Sequence, residues 1–140
     1  MAFTGNYSCN TLRAGLADAT INLTTDTFYL ALYTNAATLD ETTTEYTTTG
    51  EASGGNYAPG GSVVTTTVST ETTAAGSIVY VTFTSPSWTG AITARGALIY
   101  KVGANGAICV LDFGNDKTST STFTVAMPAN TSTSALIRLV

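Results

Sequence analysis

Threonine constrains the fold of this chain more than any other residue type, because about thirty of its 140 residues are threonine. The β-branched threonine side chain is stiff at χ1 and fits a strand better than a helix. Charged residues make up only 10% of the chain, against about a quarter of an average soluble protein. These features predict a β-rich fold with a weakly charged surface.

Hydrophobic periodicity predicts one short helix followed by about eight short strands. Cys9, Leu12, Leu16 and Ala19 share one helical face, and Ser8 is the expected cap. The expected strands are 28–34, 44–49 (a candidate edge strand), 62–70, 77–84, 91–101, 107–113, 122–127 and 134–140. The expected exposed turns are 50–61, 103–106 and 112–119.

Evenly spaced short strands are typical of a sandwich or of a closed barrel. We predict an all-β fold: a two-sheet sandwich, jelly-roll-like, with one short N-terminal helix. The chain is expected to form one domain, with 1–26 as N-terminal arm and helix and 27–140 as the β-sandwich. Alternation within 77–84 places Val79, Val81 and Phe83 on the buried face. Gly96 predicts a β-bulge, with φ above zero, or a close backbone approach.

Catalytic chemistry is sparse in this sequence. It has no histidine, and its nine acidic and five basic residues are scattered, whereas acid–base catalysis usually employs histidine or carboxylates with shifted pKa values. We therefore expect no enzymatic activity, no catalytic residue and no cofactor. The acidic cluster of Asp40, Glu41, Glu45 and Glu51 is expected to be a solvated face. The alternative is a glycosidase that uses Asp40, Glu41 or Glu45.

Other ligand classes are also disfavoured. The net charge of −4 and the dispersed basic residues argue against nucleic acid, and no apolar run approaches the ~18 residues of a membrane span. Asp112, Asn115 and Asp116 carry oxygens that suit a hard cation, but a capped turn is expected, and no metal. Cys9 and Cys109 are expected to be buried free thiols, with a disulfide as the alternative. No secretory signal is recognisable, so we expect synthesis in a cytoplasm.

Aromatic side chains are the candidate contact residues of this chain. Tyr46 and Tyr57 lie in loop-like sequence and Trp88 follows a proline, and such side chains serve protein interfaces or carbohydrate platforms. A weakly charged threonine surface is also easy to desolvate, which suits packing against neighbouring copies of a shell.

Segments along nearly the whole chain resemble small structural proteins of tailed-bacteriophage virions. In order, they are TDTFYLALYT at 25–34, YTTTGE at 46–51, TARGALIY at 93–100 and VLDFG at 110–114. The resemblance implies a head decoration (cement) protein on the capsid surface, bound to the major capsid protein. It brings no catalytic residue with it.

By analogy with cement proteins, the chain is expected to form a homo-oligomer, possibly a trimer at local threefold positions. The same analogy makes residues 1–10, with Phe3 and Tyr7, a candidate arm that contacts a neighbour. The alternatives are a neck, tail or fibre-associated adaptor of the virion, and a module that binds carbohydrate or the host surface.

Overall fold

The structure, a computed structural model, describes residues 3–139 and is mostly β with one short N-terminal helix. Its elements are β1 (Tyr7–Ser8), α1 (Asn10–Ala17), β2 (Phe28–Tyr33), β3 (Ser62–Val64), β4 (Thr66–Thr73), β5 (Gly76–Phe83), β6 (Ser87–Thr89), β7 (Ile92–Lys101), β8 (Ala107–Ser119), β9 (Thr122–Thr124) and β10 (Ile137–Leu139). None of the helices within 3–139 has the length and apolar character needed to cross a membrane.

The strands form three antiparallel sheets. The large sheet has the order β1-β8-β7-β2-β3, the small sheet has the order β10-β5-β4, and β6 pairs with β9 in a two-stranded ribbon. Over residues 3–139 each sheet ends in two edge strands, so no sheet closes on itself. The open edges β1, β4 and β10 matter for the candidate site described below.

The central strand β2 is buried on both faces, as its continuous apolar sequence FYLALY predicts. On one face, Phe28 meets Phe83 of the small sheet edge to face, with ring centroids 5.8 Å apart. On the other face, Tyr33 packs in a second cluster with Phe3 and Leu39. The large sheet is therefore covered by the small sheet on one side and by the N-terminal residues and the loop after β2 on the other.

Two local expectations of the sequence are confirmed. Val81 and Phe83 are buried, whereas their neighbour Thr82 is half-buried; Val79, the third residue of the predicted buried face, is half-buried as well, so the expectation holds only for the end of the strand. A tight turn at 103–106 joins β7 to β8, with the Lys101 amide donating to the Gly106 carbonyl across 2.7 Å. Asn105 has a φ of 59° in this turn, a conformation that asparagine tolerates better than most residues.

The helix is shorter than predicted. Cys9, not Ser8, is its N-cap, and no side-chain hydrogen bond caps it. Ser8 belongs to β1 and pairs with Cys109 instead. Ala19 lies beyond the helix end with a φ of 63° and is exposed. The apolar spacing thus located the helix but missed the two-residue strand before it.

The predicted strand 62–70 is interrupted at Thr65. Val64 pairs with Phe28 in the large sheet, whereas Thr66 pairs with Phe83 in the small sheet. The chain changes sheets at this point, and Thr65 joins the two pieces. Since both pieces are rich in β-branched residues, the sequence gives no sign of the change.

Two other predicted elements are wrong. Residues 112–119 are not a turn, because β8 continues to Ser119 and pairs there with Ile92, although residues 113–116 bulge out of the pairing with β7. Residues 44–49 form no strand; the hydroxyl of Tyr33 instead donates to the Thr47 carbonyl across 2.6 Å. This bond fastens the segment as a loop over the large sheet.

Gly96 lies at an irregularity of β7 but does not have a positive φ, contrary to the prediction. The pairing with β8 shifts register here, because Ala94 pairs with Lys117 and Gly96 with Asp112; the extra residues, 113–116, therefore lie in β8, and the bulge predicted in β7 is wrong. A Cβ atom at Gly96 would lie 2.5 Å from the Leu111 carbonyl oxygen and 2.7 Å from Phe3 Cζ. Close packing, not backbone conformation, therefore requires glycine here.

Candidate functional site

Three of the predicted contact residues pack inside the chain. Phe3, Tyr57 and Trp88 are only 1%, 8% and 5% exposed, and the rings of Tyr57 and Trp88 meet with centroids 5.3 Å apart. Tyr7 and Tyr46 are half-buried and keep part of their rings at the surface.

The N-terminal residues belong to the chain's own fold from Phe3 onward. The Asn6 side-chain oxygen accepts from the Asp112 amide across 2.6 Å, and Tyr7 pairs with Val110 of β8. The predicted arm to a neighbour is therefore not free over residues 3–10. Its first two residues lie outside the described part of the chain.

Glu51 is the centre of a polar cluster that the sequence did not indicate. The hydroxyl of Tyr46 donates to its Oε1 across 2.5 Å, while the Tyr57 hydroxyl and the Gly60 amide donate to its Oε2 across 2.6 and 2.7 Å. The Leu32 amide of β2 in turn donates to the Tyr57 hydroxyl across 2.9 Å. The expectation of a solvated face is thus wrong for Glu51, which holds the loop 44–61 on the large sheet.

Stacked tyrosines extend this cluster. Tyr100 stacks on Tyr46 and on Tyr29, with centroids 4.9 and 5.8 Å apart, and its hydroxyl donates to the Gly60 carbonyl across 2.7 Å. Burial, with the nearby charge of Glu51, raises the pKa of Tyr100 to about 12. Burial is also the main cause that raises the pKa of Tyr46 and Tyr57, with their bonds to Glu51 next. The tyrosine hydroxyls therefore remain protonated, and those of Tyr46 and Tyr57 donate to the Glu51 carboxylate, which fixes the loop 44–61.

The remaining carboxylates of the acidic cluster are at the surface. Glu41 and Glu45 are exposed. Asp40 accepts hydrogen bonds from the Thr42 hydroxyl and amide, across 2.5 and 2.8 Å, and these bonds lower its pKa. A glycosidase needs one carboxyl whose pKa is raised so that it can act as an acid. The hydrogen bonds around Asp40 lower its pKa instead.

Of the candidate cation ligands, Asp112 has structural partners, whereas Asn115 and Asp116 are exposed. Asp112 accepts from Arg95 Nε across 3.2 Å and from the Gly114 amide across 2.9 Å. Residues 3–139 contain no group of three or more His, Cys, Asp or Glu side chains arranged to hold a metal ion. Cys9 and Cys109 are free and buried, the first of the two predicted alternatives. Burial raises the pKa of the Cys9 thiol to about 12 and also raises that of Cys109.

The hairpin of β4 and β5 ends in a stretch exposed on both faces, residues 70–77, which we call the hairpin tip. It consists of Thr, Ser, Ala and Gly with a single charged residue, Glu71. Its side-chain hydrogen bonds are mostly internal, such as the Thr72–Ser77 hydroxyl pair at 3.1 Å. Outside the tip, the Ser132 hydroxyl donates to Glu71 across 2.6 Å. Sequence reasoning missed this surface, although its run of small polar residues was visible.

An open groove of about 760 Å³ lies between β1 of the large sheet and β10 of the small sheet, and we call it the edge groove. Partly buried apolar side chains packed on the core line it, among them Leu16, Leu111, Met127 and Leu136. Both strands beside it are edge strands of their sheets. It therefore combines apolar side chains with strand edges that can accept another strand.

Comparison of the chain with known protein families, with curated proteins and with solved structures finds no match.

Proposed function

We propose that this chain is a structural protein of a tailed-bacteriophage virion, and specifically a head decoration protein that binds the outer face of the capsid shell and stabilises it. The observation that carries the proposal is the hairpin tip, eight consecutive exposed residues with one charge, which begins on the edge strand β4 and ends on β5. The resemblance of segments along the chain to virion proteins supports the same conclusion.

The physical reasoning starts from the exposed edge of β4. Proteins that work alone usually protect such an edge with lysine, proline or a covering loop, because it is a template for pairing with another chain. Strand β4 has neither lysine nor proline, and a two-stranded ribbon is only marginally stable in water by itself. An edge of this kind suits a chain that works inside an assembly, since permanent interfaces are depleted in charge.

The proposed partners are the major capsid protein and further copies of this chain, in a homo-oligomer that we expect to be a trimer. The chain would be made in the host cytoplasm and reside on the virion surface. A protein that binds the assembled shell, and not the free shell subunit, stabilises the shell by mass action. No catalytic step and no cofactor are part of this proposal.

The finer architecture is also proposed: a jelly-roll-like sandwich of the large and small sheets. The contact of Phe28 with Phe83 and the shared core of Val81, Ile99 and Ile137 support it. Jelly rolls, in which two packed sheets enclose one core, occur in viral capsid domains.

The structure agrees with one alternative function, a virion adaptor, better than with the other, a carbohydrate-binding module. A neck, tail or fibre adaptor would use the same uncharged surfaces, and differs in the number of copies. A carbohydrate-binding module would need stacking rings at the surface, but Tyr57 and Trp88 are buried.

Addition of the purified chain to phage heads that lack it tests the proposal. We expect saturable co-sedimentation with the heads and DNA release at a higher temperature than from untreated heads. Heads pre-saturated with the chain serve as the control and should bind no more. Failure to co-sediment would contradict the decoration function, and binding at one vertex only would favour the neck or tail alternative.

A further inference from the structure

We infer that the hairpin tip of one copy docks in the edge groove of the next copy, so that the chains join head to tail. This inference deepens the proposed function, on which it rests, by naming the two surfaces that link the copies. The occupant of the groove is thus a second copy of this chain.

The hairpin tip presents an open strand edge and small apolar groups that could cover the edge groove. Its strand β4 is an edge of the small sheet, and alternate residues of such a strand direct N–H and C=O groups outward. Ala74 and Ala75 form the turn between the strands, and the threonines at 72 and 73 precede them with their methyl groups. These small apolar groups can cover the apolar side chains of the groove without placing a charge on them.

The groove in turn offers two strand edges. In the described part of the chain, β1 pairs with β8 and β10 pairs with β5, and neither has a strand on its other side. Both line the groove, with Tyr7 and Ser8 on one side and Ile137 to Leu139 on the other. An inserted strand can therefore gain backbone hydrogen bonds as well as apolar contacts, which is the β-augmentation mode of recognition.

The charges of the two surfaces are complementary. The ion pairs within residues 3–139 are Arg95–Asp112 and Lys101–Asp26. Arg13 and Arg138, which line the groove, therefore have no carboxylate partner within that range; Arg13 bonds only to neutral oxygens of Ser8 and Asn10. Glu71 of the tip has no cationic partner there either. A docked tip would bring an unpaired carboxylate to two unpaired guanidinium groups.

The topology makes the contact intermolecular. In the small sheet, β10 and β4 lie on opposite sides of β5, so their open edges face away from each other and the edge of β4 cannot pair with the edge of β10 in the same copy. A contact between unlike surfaces is heterologous, and repetition of one such contact closes a ring when the rotation allows it. Each copy in a ring makes the contact twice, once through its tip and once through its groove.

Native mass spectrometry of the full chain and three variants tests this inference. In the tip variant, residues 72–77 are replaced by Asn-Gly, which keeps the Glu71–Ile78 pair next to a two-residue turn. In the groove variant, Ala126→Trp fills the groove from an exposed position. Ala36→Trp places the same ring at an exposed position outside the groove and is the matched control. Melting temperatures establish that each variant is folded.

We expect the wild-type chain and Ala36→Trp to form the same oligomer, and each of the other two variants to be monomeric. An equal mixture of the tip and groove variants should form heterodimers, because the first keeps an intact groove and the second an intact tip. If the shortened tip does not fold, Glu71→Arg replaces it and should raise the dissociation constant at least about tenfold, by placing like charges together.

A wild-type chain that stays monomeric at every concentration overturns the inference, as does either variant assembling like the wild type. Self-association of the groove variant would indicate tip-to-tip pairing instead. The head-binding experiment separates this inference from the proposed function. A monomer that decorates heads would contradict the head-to-tail contact and the proposed homo-oligomer but not the decoration function, whereas an oligomer that ignores heads would contradict only the decoration function.

Discussion

The hydroxyl of Tyr57 donates a hydrogen bond to Glu51 across 2.6 Å while it accepts one from the Leu32 amide across 2.9 Å. Through this hydroxyl the loop after β2 is joined to the backbone of the central strand. Tyr46 and Gly60 donate to the same carboxylate. The loop thus takes its shape from a few hydrogen bonds around one charged group.

Substitution of Glu51 by glutamine should destabilise the fold. The amide keeps one acceptor oxygen, so at least one of the three donors loses its partner, at a cost of about 1–3 kcal/mol in the free energy of unfolding. Urea unfolding of Glu51→Gln measures this cost. Glu45→Gln, at an exposed position of the same loop, is the control and should change the free energy by less than about 0.5 kcal/mol. Equal effects of the two substitutions would contradict the role of Glu51.

Gly96→Val should destabilise the chain by more than about 2 kcal/mol, because any Cβ at this position meets Phe3 and the Leu111 carbonyl. Thermal melting of Gly96→Val and of the smaller change Gly96→Ala measures the effect. The Phe3→Ala substitution should make Gly96→Ala less costly, since it removes one of the two obstacles. A melting temperature unchanged by Gly96→Val would show that this packing is not tight.

The fold should lose stability at alkaline pH. Burial raises the pKa of Tyr100 from 10.0 to about 12 and raises the pKa values of Tyr33, Tyr46 and Tyr57 as well. Above pH 10 the unfolded chain therefore releases protons that the folded chain retains. The free energy of unfolding falls there with rising pH, by up to about 1.4 kcal/mol per pH unit for each such tyrosine.

Urea unfolding between pH 8 and pH 12 checks this alkaline loss. For Tyr100 the stabilising contribution is complete below pH 10 and is lost as the pH passes about 12. Tyr100→Phe should therefore show a shallower decline than the wild-type chain. If the free energy of unfolding of the wild-type chain stayed constant up to pH 11.5, the raised pKa values of the buried tyrosines would be contradicted.

Both cysteines should resist alkylation in the folded chain. Cys9 and Cys109 are buried, and burial raises the pKa of the Cys9 thiol to about 12, so little of the reactive thiolate forms near neutral pH. Mass spectrometry after iodoacetamide treatment at pH 8 should find no adduct without denaturant and two adducts with it. Val102→Cys, at a position that is 68% exposed, provides a control thiol that should react at once. Labelling of Cys9 or Cys109 at the control rate would place them at the surface.

Local patterns in the sequence predicted the parts of the fold that depend on residues close together along the chain. The alternation at Val81 and Phe83, the apolar run of β2 and the turn before Gly106 each involve residues a few positions apart. The change of sheet at Thr65 depends instead on which distant strand each half pairs with. The two-residue strand β1 was missed because a segment of that length carries no periodicity.

The candidate site was less predictable than the fold. Glu51 looks like any surface carboxylate in sequence, and its role appears only when the loop brings Tyr46 and Tyr57 to it. Tyrosines on both sides of a glutamate in a glycine-rich loop were the available signal. The edge groove could not be predicted, because it depends on how the edges of two sheets are placed in space.

The central claim is that this chain is a head decoration protein, and the number of its copies in each virion tests that claim most directly. Quantitative mass spectrometry of purified virions, calibrated against the major capsid protein, measures it. The decoration function predicts a copy number in fixed proportion to the shell protein, because closed symmetry repeats one binding site over the whole head. About a dozen copies or fewer, as expected of a neck, tail or fibre component, would contradict it.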